Sequence, residues 1–92
     1  MTLSIVELAR AREAITGLLD ELGLDAYLFE VEPGDEQWEL TVDCAVETDG
    51  AWESLTLPVA KEMLLASRDD ASIHQRILTE WRGHFVACKL RE

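Results

Sequence analysis

Leu8, Ala11, Ile15, Leu18, Leu19 and Leu22 recur at the 3.6-residue spacing of one helix face, with polar or small residues between them. This spacing predicts a helix over residues 4–22. Ser4 and Glu7 stand at capping-box separation, and Leu3 and Leu8 at that of a hydrophobic staple. Gly23 occupies the place of a left-handed C-terminal residue, with Leu24 next to pack back on the helix.

The period then drops to two. Tyr27, Phe29 and Val31 alternate with Leu28, Glu30 and Glu32, and Pro33-Gly34 suits the centre of a type II turn. Across 37–47, Trp38, Leu40, Val42, Cys44 and Val46 point one way. Glu39, Thr41, Asp43, Ala45 and Glu47 point the other. Asp49-Gly50 is a strong hairpin signal, and 51–57 reads as a third strand.

Counting outward from the two turns sets an expected register. Val31 faces Trp38, Phe29 faces Leu40 and Tyr27 faces Val42; beyond the second turn Cys44 faces Leu55 and Val42 faces Leu57. On the opposite side Glu47 meets Trp52, Asp43 meets Thr56 and Glu30 meets Glu39. Both hairpins agree on which side is apolar, so the sheet has one oily face and one acidic face.

Pro58 suits a first helical turn and introduces a short helix over 59–67, using Val59, Met63 and Leu64. Asp69 or Asp70 then caps a longer helix reaching about residue 90. Its stripe is Ile73, Ile77, Trp81, Phe85 and Cys88, and Lys89 and Arg91 stand at the negative end of its dipole. The predicted class is α+β, a two-layer three-stranded antiparallel meander packed on helices in the order α-β-β-β-α-α. Residues 1–92 are expected to form a single acidic domain.

Charge sharpens this picture. Between Arg12 and Lys61 there is no lysine or arginine, yet thirteen acids; −13 there and +2 elsewhere make the net −11. Such a block marks a solvated face or an interaction surface. It disfavours direct contact with nucleic acid or anionic membranes, where Lys and Arg must replace counterions. With 48% apolar residues the chain has enough hydrophobicity to collapse. No basic leader and no run near the ~20 apolar residues of a membrane span is present, which makes the cytoplasm the expected location.

The charge reading selects Glu30, Glu32, Glu39, Asp43 and Glu47, with Trp52 as an apolar anchor among them, as the candidate partner-binding residues. Their expected partner is a basic protein surface. A nucleic-acid mimic and a chaperone-like accessory are variants of that idea. The chemistry-bearing residues point elsewhere only weakly. Serines and cysteines lie outside any nucleophile-elbow context, the glycines are isolated, and no cofactor motif occurs, so a non-enzymatic module without cofactor is expected. His84 and Cys88, spaced i, i+4, are an alternative ligand or metal pair, but zinc sites want four donors. Cys88 reads most simply as a small buried hydrophobe, ahead of a metal ligand or a disulfide partner of Cys44. The other alternative is a structural homodimer, for which Met63, Leu64 and Leu65 offer a patch.

Overall fold

A computed structural model describes residues 5–46 and 50–91. It has the predicted order: α1 (Ile5–Leu22), β1 (Tyr27–Glu32), β2 (Gln37–Ala45), β3 (Trp52–Ala60), α2 (Lys61–Ala66) and α3 (Ala71–His84). The strands form one antiparallel sheet in the order β1-β2-β3. Helices cover one side of it.

The apolar stripes explain this layering. Ala11, Ile15, Leu18 and Leu19 of α1 and Ile77, Leu78 and Trp81 of α3 are buried. They share one hydrophobic cluster with Trp38, Leu40, Val42 and Leu57 from the inner sheet face. Gly23 has φ +80°, the left-handed conformation expected of it, and closes α1 with a hydrogen bond to the Asp20 carbonyl at 3.0 Å. Asp70 caps α3, accepting from the amides of Ser72 (2.9 Å) and Ile73 (3.3 Å). The capping box at Ser4, the staple at Leu3 and the turn at Asp49 lie outside the described residues, as does Glu47.

Both strand pairs are shifted by two residues from the expected register. Tyr27 faces Cys44, Phe29 faces Val42 and Val31 faces Leu40; across the second pair, Val42 faces Leu55 and Leu40 faces Leu57. A two-residue shift leaves every side chain on its own face, so alternation cannot distinguish the two registers. Glycine is required at 34, where a Cβ would collide with the Gln37 carbonyl oxygen.

Two element boundaries are corrected. Pro58 lies inside β3, which runs on to Ala60, and so does not open a helix. Val59, placed in the short helix by its sequence, is an inward strand residue opposite Trp38. The second correction is larger: α3 ends at His84, well before residue 90. The chain beyond it becomes a strap between the end of α1 and the end of β2. The Lys89 amide donates to the Ala45 carbonyl at 2.7 Å, and the Lys89 carbonyl accepts from the Asp25 amide at 2.9 Å. The Arg91 amide donates to the Gly23 carbonyl at 2.7 Å. Pairing these backbone groups with the strap competes with continuing the helix.

The strap is cross-linked. Cys44 and Cys88 form a disulfide, with Cα atoms 5.7 Å apart. Both residues are buried, as their apolar surroundings suggest, but they are bonded cysteines, not free ones.

Candidate functional site

The outward face of the sheet is built in rows. Leu28, Asp43 and Ser54 form one; Glu30, Thr41 and Thr56 the next; Glu32, Glu39 and Pro58 the third. Trp52 sits beside Ala45 at the far end of β3. Alternation therefore delivers Glu30, Glu32, Glu39, Asp43 and Trp52 to one face, as read from the sequence. Trp52 is 48% exposed and Leu28 65% exposed.

The corrected register changes which carboxylates meet. Glu30 stands opposite Thr41, not Glu39. It is Glu32 that directly faces Glu39, a like-charge pair costing about 0.2–1 kcal/mol. Asp43 faces Ser54 instead of Thr56, and its Oδ1 accepts from the Ser54 hydroxyl. The Thr41 and Thr56 hydroxyls share a hydrogen bond of 3.1 Å across the middle row. Trp52 does not face Glu47 in this ladder; its partner is Ala45.

Where the basic residues go decides the electrostatics of this face. Lys61 pairs with Glu7 (3.5 Å), Arg68 with Glu13 (3.0 Å), Arg91 with Asp20 (3.7 Å) and His74 with Glu21. Every one of these acids belongs to α1. Arg12 is likewise on the helix side, 5.9 Å from the centre of the Phe29 ring. Lys61, Arg68 and Arg91 thus balance acids of α1, and among the described residues no ion pair reaches Glu30, Glu32, Glu39 or Asp43. The acidic half of the chain is divided: α1 is neutralised internally and the sheet face is left to solvent.

Asp20 also accepts from the Tyr27 hydroxyl at 2.8 Å. The Tyr27 pKa is pushed up to about 12, first by burial and then by this hydrogen bond to the carboxylate. Together with Arg91, whose Nε donates to the Leu24 carbonyl at 3.2 Å, this group ties β1, α1 and the strap together. Its chemistry is that of a structural latch.

The His84–Cys88 alternative does not survive as drawn. Cys88 lies beyond the end of α3, so the two residues do not share a helix face, and its sulfur is bonded to Cys44. Met63 and Leu65 of the suggested dimer patch are partly buried and Leu64 is buried against the core, which leaves little of that patch for a second copy. Compared with known proteins, the chain matches no family model, no curated protein and no solved structure.

Proposed function

We propose that this chain is a small non-enzymatic interaction module whose acidic sheet face docks a basic surface of another protein. The observation that carries the reading is the division of charge. Among the described residues, the Lys61, Arg68 and Arg91 ion pairs and the His74–Glu21 contact all engage acids of α1, while the open face keeps Glu30, Glu32, Glu39 and Asp43 beside an exposed Trp52 and Leu28. Charge complementarity would steer encounter, and burial of the tryptophan would hold the complex. The like-charged Glu32–Glu39 pair is relieved when a lysine or arginine arrives between them.

No helix among the described residues is long and apolar enough to cross a membrane. Placement in the cytoplasm has the buried Cys44–Cys88 bond against it, because such bonds persist in oxidising compartments and are rare in the cytosol. The redox state of that pair in cells decides between the two.

The test is capture of basic partners at low and high salt, with the native chain and with the double variant Glu39→Lys/Asp43→Lys as bait. The native chain should retain a basic protein at low salt and release it as salt rises. The folded double variant should retain none. Equal capture by both baits removes the acidic face from the account.

A further inference from the structure

The two edges of the sheet are defended differently. β1 carries two acids, Glu30 and Glu32, in six residues, and such charges oppose edge-to-edge pairing. β3 carries one, Glu53, in nine.

The hydrogen-bond phase of the sheet shows what the β3 edge offers. The Val46 amide donates to the Ala51 carbonyl (3.1 Å) and the Lys61 amide to the Glu36 carbonyl (3.3 Å), at the two ends of the β2–β3 ladder. Both fall on one alternation, which directs the backbone groups of residues 53, 55, 57 and 59 toward β2. The groups of Trp52, Ser54, Thr56 and Pro58 therefore point away from the sheet. Pro58 fits this phase, since its missing N–H removes no ladder bond. All four residues are exposed. Among the described residues no backbone group outside the ladder pairs with them.

We propose that this edge accepts an extended segment of a partner protein as a fourth strand, and that the segment alternates basic and apolar residues. The inference rests on the acidic-face reading and gives it a docking mode. A strand added beside β3 would send alternate side chains over the two sheet faces. On the outer face they lie next to Trp52, Ser54 and Thr56. There a long lysine or arginine reaches across β3 toward Asp43 and Glu39, and its cation can lie over the Trp52 ring. On the inner face they lie next to the half-buried Leu55 and the buried Leu57, where apolar residues extend the core. A second copy of this chain is a poorer occupant, because β3 holds no lysine or arginine to offer the acidic face.

An alternating lysine–valine peptide is the probe. It should bind the native protein and slow hydrogen exchange at the amides of Trp52, Ser54 and Thr56, leaving those of β1 unchanged. The same peptide N-methylated at alternate amides keeps its charge and apolar groups but loses edge donors, and should bind about tenfold or more weakly. Equal binding of both peptides without β3 protection overturns edge docking. If Glu39→Lys/Asp43→Lys then abolishes that binding, the acidic-face reading stands without it. Loss on N-methylation with no effect of the charge reversal overturns the basic segment and the acidic-face reading together. Protection of the β3 amides in a peptide-free dimer assigns the edge to a second copy and overturns the proposal.

Discussion

Cys88→Ala is expected to lower the unfolding free energy by about 4 kcal/mol, the chain-entropy effect of opening a loop of this size. The bond joins residues 44 apart in sequence. It pins the strap beside the end of β2, where Val46 bridges Cys88 and Leu24 bridges Leu90. Without it the unfolded chain gains freedom, and the strap keeps its backbone hydrogen bonds, the Arg91 contacts and the burial of Phe85. For a domain of this size the change corresponds to a melting temperature lower by roughly 15–30 °C. Thermal unfolding followed by circular dichroism checks it, with and without a thiol reductant. The reduced native chain should melt close to the variant. Coincident melting of all the samples, reductant or not, would show that the two sulfurs are not joined.

Leu40→Ala is the second large effect. Leu40 is 0% exposed at the middle of the central strand, flanked by Val31 and Leu57 and covered by the helices. Truncation loses its transfer free energy and leaves a cavity, at a cost of about 2–5 kcal/mol. Small domains have about 5–15 kcal/mol in total, so this is a large share. Leu28→Ala is the matched control, the same truncation on the opposite face at a residue 65% exposed. Its cost should stay within about 0.5 kcal/mol. Urea unfolding midpoints compare the two directly, and similar losses would mean that the sheet is covered on both sides.

The element order and the division of the sheet into two faces were legible because each rests on a periodicity. Alternation across 37–47 is clean, and one choice of inward face satisfies all three strands. The same periodicity hides what it is blind to. A slip of two residues preserves alternation, so the pairing of Glu32 with Glu39, in place of Glu30 with Glu39, needed coordinates. Pro58 carries the same signal at a first helical turn and at a strand edge, and only the ladder phase separates them.

The end of α3 is not legible in the sequence for a related reason. Phe85 and Cys88 continue the helical stripe in sequence, and both are buried, but they reach the core from the strap. What ended the helix was a demand from distant backbone at Gly23, Asp25 and Ala45, which no local pattern encodes. Cys88 meets Cys44 from the strap, a placement that helical spacing does not encode. Of the candidate site residues, Glu30, Glu32, Glu39, Asp43 and Trp52 share the outward face, while Glu47 lies outside the described residues. The open edge of β3 was in principle readable, as a strand nearly free of charge in a strongly acidic chain.

Carboxyl footprinting of the chain mixed with a basic protein that it captures tests the proposed docking face directly. Carbodiimide-driven labelling, read by mass spectrometry residue by residue, should fall at Glu30, Glu32, Glu39 and Asp43 on complex formation. Glu62 and Glu80, exposed on the helices, should label as in the free chain. Protection of the helix-side acids with the sheet acids still fully reactive would place the partner on the wrong side of the molecule and contradict the account.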